Sequence, residues 1–204
     1  MTAENMPRDQ LAGLPTDADT WFARKFDEHM ARREAEHVPS MTIIATKGTL
    51  DMAYPPFILA STAAALGWKV AIFFTFYGLS LLKKELDLKI SPLGNPAMPM
   101  KLPDGPQWLQ QQDLPIPNAV MSLLPGFESL ATGLMRKTMS NKGVASIEEL
   151  RELSIEAEVE LVACQMTVDL FGWNKSDFID DIGDWVGAAS FLPKAQKADV
   201  SLFV

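Results

Sequence analysis

The sequence predicts an α/β protein with a doubly wound, mainly parallel open sheet. Two observations support this prediction, and both lie between residues 41 and 82. The runs 41–45 and 70–76 are apolar apart from one threonine each, as strands are when both faces of a parallel sheet are covered. A helical pattern follows each run, which gives the strand–helix–strand–helix order of doubly wound sheets. The length of 204 residues suits one such domain better than two.

Ahead of this domain, which we place at residues 41–204, residues 1–40 are predicted to form an N-terminal arm that is helical in part. Residues 17–36 have the pattern of a charged helix, and Pro39 ends it. The helix carries a narrow apolar stripe made of Trp21, Phe22, Phe26 and Met30. Such a stripe suggests docking on the domain or on a neighbouring subunit, although packing against its own core is the commoner arrangement.

The first strand is followed by the turn Thr46-Lys47-Gly48 and then by a helix that runs to Leu66. Pro55 and Pro56 are expected within about the first turn of this helix, where a missing N–H group is tolerated. The second strand is predicted to run from Val70 to Phe76, because Tyr77-Gly78 stops it, and a short helix through Leu82 follows.

Residues 55–82 are apolar enough to imitate a membrane span. Gly67, Trp68 and Lys69 cut this stretch into two pieces that are each too short to cross a bilayer. We therefore expect no membrane span. The polar start MTAENMPRDQ lacks the apolar core of a signal peptide, and a cytoplasmic location is the default expectation.

An insertion rich in proline and methionine interrupts the pattern at about residues 90–143. It holds eight of the 14 prolines and five of the 11 methionines. We expect an extended loop in its first half and, from Asn118, two short helices that are broken at Pro125-Gly126. Long loops in compact domains often serve as a lid or as an oligomer contact, and methionines also fill gaps in cores.

The regular pattern returns at Ser146 and Glu149, which form a capping box that opens a helix to about Ala157. A third buried strand is predicted for residues 159–163. Cys164 follows at its carboxyl end, just before a helix. The rest of the chain is predicted to be this helix (165–170, closed by Gly172), a helix from about residue 186 to 197 and a last strand at 200–204.

The net charge of −8 and the isoelectric point near 4.8 argue against nucleic acid as a partner, because phosphate binding requires clustered Lys and Arg. Residues 148–184 hold eleven acids against Arg151 and Lys175, a local net charge of −9. This acidity surrounds Cys164 in the sequence. It favours either a solvated helical face or a surface that steers a basic partner towards the cysteine.

Cys164 is the single cysteine, so an intramolecular disulfide, a CxxC pair and a multi-cysteine zinc site are all excluded. At a strand-to-helix junction the helix N-terminus favours the thiolate, whereas Glu160 and Asp169 oppose it. Lys47, at the end of a neighbouring strand, is placed to tip this balance. The alternative is that Cys164 acts as a small buried hydrophobe.

Other chemistries find little support. His29 and His37 both lie on the arm, so a Cys-His dyad would require the arm to fold back over the sheet. The first strand is followed by no G-x-G-x-x-G fingerprint, and the chain contains no P-loop. We therefore expect no cofactor and no metal.

The carboxyl ends of parallel strands meet at one edge of a doubly wound sheet, where ligands bind. Candidate residues that line a site around Cys164 are therefore Thr46, Lys47 and Gly48 after the first strand and Thr75 and Tyr77 after the second. Asp51 and Tyr54 are weaker candidates, because the same positions also suit the start of a helix.

Three segments, in this order, resemble the DsrE/DsrF-like family. They are IIATKGTLDMAYP at 43–55, FFTFYGL at 73–79 and ACQMTVDLFG at 163–172. The closest resemblance is to its branch of larger, cytoplasmic DsrE-like sulfur-transfer proteins, and it spans about residues 41–192. The insertion fits as well, with Leu124-Pro125-Gly126 and the SIEEL segment that begins at Ser146. The arm lies outside the resemblance.

The resemblance implies a Rossmann-like α/β fold in a homo-oligomer, with a trimer or a hexamer expected. It also implies that Cys164, which matches the family cysteine, receives sulfane sulfur as a persulfide and hands it on in sulfur oxidation or trafficking. The implied partners are rhodanese-type sulfurtransferases and small TusA-like carriers. Such a relay requires a thiol that partner proteins can reach and that has no internal partner for a disulfide.

Two alternatives to a sulfurtransferase or stoichiometric sulfur carrier remain at this point. One is a peroxiredoxin-like thiol oxidoreductase, but a peroxidatic site has a threonine three residues before its cysteine, where this chain has Leu161. The other is a non-catalytic assembly module that works through its acidic face and its methionine-rich insertion.

Overall fold

The computed structural model describes residues 17–91, 106, 108 and 126–204, and within it the chain divides after Val38 into two units. The described part of the first unit contains helix α1 (Ala18–Glu36), capped by Asp17, whose side chain accepts a hydrogen bond from the Thr20 amide. The predicted helix is confirmed. None of its residues is buried, and Phe22, Phe26 and Met30 are exposed.

The second unit is built on one open sheet. Its strands in the described residues are β1 (Ser40–Ala45), β2 (Lys69–Phe74), β3 (Glu160–Cys164), β4 (Asp184–Val186) and β5 (Val200–Phe203). They lie in the order β4-β3-β2-β1-β5, and every neighbouring pair is parallel. The predicted parallel open sheet is confirmed.

Five helices of this unit accompany the sheet in the described residues. They are α2 (Leu50–Ala65), α3 (Phe127–Asn141), α4 (Ile147–Glu156), α5 (Gln165–Phe171) and α6 (Ala188–Lys197), and a 3-10 helix spans Phe76–Leu82. The predicted capping box is present at the start of α4, where Ser146 and Glu149 bond each other's amides at 3.1 and 2.7 Å.

Two consecutive phenylalanines of β2 show that helices cover both faces of the sheet. The ring of Phe74 lies 5.8 Å from Phe57 of α2, whereas the ring of Phe73 stacks on Phe191 of α6 at 4.8 Å. Neighbouring strand residues point to opposite faces. The fold is therefore doubly wound, with α2 on one face and α6 on the other.

The structure corrects the local predictions at three places. Strand β2 ends at Phe74, two residues before the predicted end, because Phe76 has a positive φ of 48° that a strand does not accommodate. Strand β4 was not predicted, and the helix expected from about residue 186 begins at Ala188. Pro55 and Pro56 lie in the second turn of α2, not in the first. Burial of Ala53, Phe57 and Ala60 stabilises the helix in spite of the lost hydrogen bonds.

The predicted extended loop of the insertion and the first of its two helices fall largely outside the described residues. The second helix is confirmed as α3, which begins after Gly126 in the left-handed conformation. In the part of the chain that the structure describes, no helix combines the length and the apolar character that a membrane span requires.

Candidate functional site

The carboxyl ends of β1, β2 and β3 lie at the same level of the sheet. Ala45 is paired with Phe74, and Phe74 is paired with Ala163. One further step along each strand places Thr46, Thr75 and Cys164 side by side at the edge. The sequence thus brings the predicted cysteine to the place where doubly wound sheets bind ligands.

Cys164 is the last residue of β3 and the N-cap of α5. Because Val162 pairs with Phe73, strand alternation places Cys164 on the face that α6 covers. Its Cα partner on the other side is Val186 of β4. Strands flank β3 on both sides, and Cys164 is only 2% exposed. The expectation of a thiol open to partners is therefore wrong for this conformation of the protein.

Two glycines allow the loops after β1 and β2 to touch. A Cβ atom on Gly48 would lie 2.3 Å from the Tyr77 carbonyl oxygen, and one on Gly78 would lie 2.2 Å from the Ala45 carbonyl oxygen. Both distances are far below van der Waals contact, so neither glycine position has space for a side chain. The role of Gly48 in this contact is close backbone packing.

Thr167 joins the first turn of α5 to the end of β2, and its role was not predicted. Its side chain is fully buried. Its hydroxyl lies 3.2 Å from the Thr75 hydroxyl and accepts a hydrogen bond from the Phe76 amide at 3.3 Å. Thr167 stands three residues after Cys164, inside the ACQMTVDLFG segment, and that position is the signal from which it could have been found.

The other predicted site residues are distributed along the same edge. The Thr46 hydroxyl donates a hydrogen bond to the Val204 carbonyl at 3.1 Å, on the side of β1 away from β2. Lys47 is exposed in the turn after β1. Tyr77 is also exposed, and its ring lies 5.7 Å from that of Phe171 at the end of α5. Thr75 and Tyr77 are the predicted residues that contact α5, Thr75 at its first turn through Thr167 and Tyr77 at its end through Phe171.

From Tyr77 and Phe171 a series of ring contacts continues towards β4. Phe171 contacts Trp173, Trp173 contacts Phe178, and Phe178 contacts Trp185. The ammonium group of Lys83 lies 4.1 Å from the centre of the Trp173 ring. These contacts hold the segment between α5 and β4 against the sheet.

The far end of the 3-10 helix is fixed by Arg151 of α4. Its guanidinium group donates hydrogen bonds to the carbonyl oxygens of Leu81 at 3.1 Å and Lys83 at 2.7 Å. Arg151 is buried, and this burial lowers its pKa. The two carbonyl groups therefore satisfy a buried cation, and they anchor this end of the segment.

The weaker candidates Asp51 and Tyr54 lie in the first half of α2. Tyr54 is buried and lines a cavity of about 190 Å³ between α2, α3 and α4. Burial and, after it, the charge of Glu148 raise the pKa of Tyr54. One carboxylate oxygen of Asp51 is buried without a hydrogen-bond partner.

The acids of residues 148–184 are spread over several elements, and Asp169 lies in α5 directly after Cys164. The acids from Glu148 to Glu158 lie in α4 or in the turn after it. Helix α4 packs on α2, on the opposite face of the sheet from the one assigned to the thiol. Glu160 forms an ion pair with Lys194, and Asp180 forms one with Lys84. Within the described ranges, no group of His, Cys, Asp and Glu side chains is arranged to hold a metal ion.

The fold and the site together define a doubly wound α/β protein with a single, buried cysteine at the carboxyl end of an inner strand. Comparison with known families identifies which such protein it is. The DsrE/DsrF/DrsH-like family model matches residues 37–203, and the chain belongs to this family.

Two relatives match over almost their whole lengths. The chain is 54% identical over 164 residues to the sulfur carrier protein DsrE2 of Allochromatium vinosum, a match that covers 80% of this chain and 97% of that protein. It is 31% identical over 169 residues to the uncharacterized protein YrkE of Bacillus subtilis, which covers 83% of this chain and 99% of YrkE. Helix α1 lies outside the match to the family model.

Proposed function

We propose that this protein is a sulfur carrier that accepts sulfane sulfur on Cys164 as a persulfide and passes it to a thiol of another protein. One observation carries the proposal. The chain is 54% identical to a protein named as a sulfur carrier, and its single cysteine lies at the ligand-binding edge of the sheet.

The chemistry requires a thiolate and nothing else from this chain. The Cys164 thiolate attacks the outer sulfur of a donor persulfide, a new S–S bond forms, and the donor's own S–S bond breaks. The donor leaves as a thiolate, and the outer sulfur remains on Cys164 as a persulfide. The second transfer repeats this exchange with an acceptor thiolate as the nucleophile, so neither step needs an external oxidant or reductant.

A chain with a single cysteine suits this exchange. A second thiol nearby would attack the Cys164 persulfide, release the sulfur and close an internal disulfide. Cys164 has no such neighbour in its own chain. The sulfur therefore stays on the protein until a thiol from another molecule arrives.

The surface next to Cys164 suits a protein as donor and acceptor. Four large apolar side chains are exposed at the junction of α5 and the 3-10 helix, and they are Phe76, Tyr77, Met166 and Leu170. Apolar and aromatic contacts of this kind dominate the centres of protein interfaces. Following the family resemblance, we propose a rhodanese-type sulfurtransferase and a TusA-like carrier as partners, in a cytoplasmic homo-oligomer that is a trimer or a hexamer.

The test is mass spectrometry of the intact protein after incubation with a polysulfide donor or with a persulfidated rhodanese. The wild type should gain the mass of one sulfur atom, and a reductant should remove it. Cys164→Ser, which preserves the size of the side chain, should gain nothing. If neither donor loads the wild type, the sulfur-carrier function is refuted.

The same samples separate the two alternatives. Consumption of hydrogen peroxide that depends on Cys164 would indicate a thiol oxidoreductase of the peroxiredoxin type. If a strain that carries Cys164→Ser oxidises sulfur as well as the wild type, the protein acts as a non-catalytic assembly module. Catalytic turnover between donor and acceptor would distinguish a sulfurtransferase from a stoichiometric carrier.

A further inference from the structure

Cys164 is buried, so a sulfur donor reaches its thiol only after a local opening of the structure. The contacts of α5, the helix next to the thiol, indicate where this opening lies. Helix α5 begins directly after Cys164, and Thr167 lies on its first turn. The Thr167 hydroxyl accepts the hydrogen bond from the Phe76 amide and contacts the Thr75 hydroxyl. This one side chain therefore ties the helix that follows the thiol to the loop that follows β2.

The loop on the other side of this tie is strained. Phe76 has a φ of 48°, a left-handed conformation that is unfavourable for a large L-residue. Its ring is also half exposed, so packing of the side chain provides little compensation. The bond from its amide to Thr167 is the contact that links this backbone to α5, beside the local bond from the Gly78 amide to the Thr75 carbonyl at 3.0 Å.

The contacts at the two ends of the 3-10 helix limit how much of the chain can move at the junction between this helix and α5. The far end of the 3-10 helix is anchored by Arg151 on the carbonyls of Leu81 and Lys83. At the near end, the remaining ring contact is that of Tyr77 with Phe171, and Tyr77 is exposed. Loss of the Thr167 bond therefore separates the Phe76 backbone from α5, while Arg151 at one end and the packing of Gly78 on Ala45 keep the rest of the segment in place.

We propose that Thr167 is a positioning residue that keeps access to Cys164 closed, and that release of its bond to the Phe76 amide is the local opening through which sulfur donors reach the thiol. The inference rests on the proposed function only in taking Cys164 as the reacting atom. In the closed state the hydroxyl of Thr167 accepts the hydrogen bond of the Phe76 amide. In the open state Phe76 relaxes to an ordinary backbone conformation, and α5 separates from the loop that follows β2.

The test is the rate of alkylation of Cys164 by iodoacetamide in the folded protein. Because Cys164 is the only cysteine, the signal comes from one site. Thr167→Val removes the hydroxyl and keeps the shape, and we expect alkylation about tenfold faster than in the wild type. Thr167→Ser restores the acceptor and should return the rate to that of the wild type.

A matched control is Ser154→Ala. Ser154 of α4 is also fully buried, and its hydroxyl donates to the Leu150 carbonyl at 2.8 Å, so this variant loses a buried hydroxyl elsewhere in the domain. Its alkylation rate should equal that of the wild type. The proposal is overturned if Thr167→Val reacts no faster than the wild type, if Ser154→Ala accelerates equally, or if low urea speeds the reaction as steeply as it promotes global unfolding.

A measurement on the wild type keeps the proposal testable if Thr167→Val does not fold. Native-state hydrogen exchange of the Phe76 amide reports the opening that breaks its bond to Thr167. The opening constant from this exchange should match the one from alkylation of Cys164 within about threefold. A difference of a hundredfold would mean that the two events are separate. Failure of sulfur loading would refute the proposed function and leave these results unaffected.

Discussion

Gly78→Ala tests the idea that close backbone packing builds the edge at which Cys164 lies. Gly78 does not have a positive φ, so alanine is compatible with its backbone conformation. The new Cβ atom would lie 2.2 Å from the Ala45 carbonyl oxygen. The substitution therefore introduces one methyl group at a place where the obstacle is backbone, which cannot rotate away as a side chain can.

The expected magnitude follows from these distances. Ordinary contact begins near 3.4 Å, so the two backbones must separate by about 1.2 Å. The same Ala45 oxygen accepts the hydrogen bond of the Thr75 amide at 3.0 Å, and this separation would break that bond. Overpacking costs about 1–3 kcal/mol and an unsatisfied buried backbone group about 1–3 kcal/mol. We expect a loss of about 2–6 kcal/mol in the free energy of unfolding, a large part of the stability of a typical domain.

The assay is urea denaturation followed by tryptophan fluorescence, with Gly133→Ala as the matched control. Gly133 lies inside α3, and a Cβ atom there would meet nothing within 4 Å. Alanine at this position should stabilise the protein by about 0.5–1 kcal/mol. The two substitutions are chemically identical and should have opposite signs. If Gly78→Ala changes the stability by less than about 0.5 kcal/mol, the close approach of the two loops does not exist in solution.

Two further predictions concern charge. Lys47 is exposed and two strands away from Cys164, about 10 Å at ordinary strand spacing, where its attraction for a thiolate in water is about 0.4 kcal/mol. Lys47→Ala should therefore slow alkylation of Cys164 only about twofold at low salt, and an unchanged rate would remove Lys47 from the site. Burial raises the pKa of Tyr54, so above about pH 10 the unfolded chain loses this proton first and stability falls as the pH rises. Tyr54→Phe should flatten this fall in denaturation measured between neutral and alkaline pH, and equal slopes for the two proteins would contradict the role of Tyr54.

The strands that could be predicted from the sequence are the inner strands β1, β2 and β3, which are buried on both faces and are therefore rich in apolar residues. The runs around Ile43, Ile72 and Val162 are apolar except for Thr42 and Glu160, and these three residues are almost completely buried. Cys164 could be placed at the end of a strand, because the apolar run before it is followed directly by a helical pattern. Strand β4 has three residues and lies at the edge of the sheet, so no apolar run identifies it.

The contacts that shape the site depend on tertiary structure, and sequence periodicity does not contain them. Thr167 looks like any threonine in a short helix until the turn at Phe76 aims an amide at its hydroxyl. Gly48 and Gly78 look like ordinary turn residues, because the atoms that exclude a side chain come from another loop. The burial of Cys164 likewise follows from the strands on both sides of β3, and long segments of the chain separate β3 from β2 and from β4.

A carrier gains selectivity when its thiol is closed at rest. A small thiol or oxidant reacts only with the open fraction of molecules, so an open fraction of about one in a hundred slows every such reaction about a hundredfold. A protein partner is not limited in this way, because contacts with the exposed side chains at the junction, such as Phe76 and Leu170, can stabilise the open state. About 2.7 kcal/mol of such binding energy is enough to offset this opening, and burial of about 110 Å² of apolar surface supplies it. On the proposed function, the Thr167 bond supplies about tenfold of this closure, and access to Cys164 depends to that extent on docking of a protein partner.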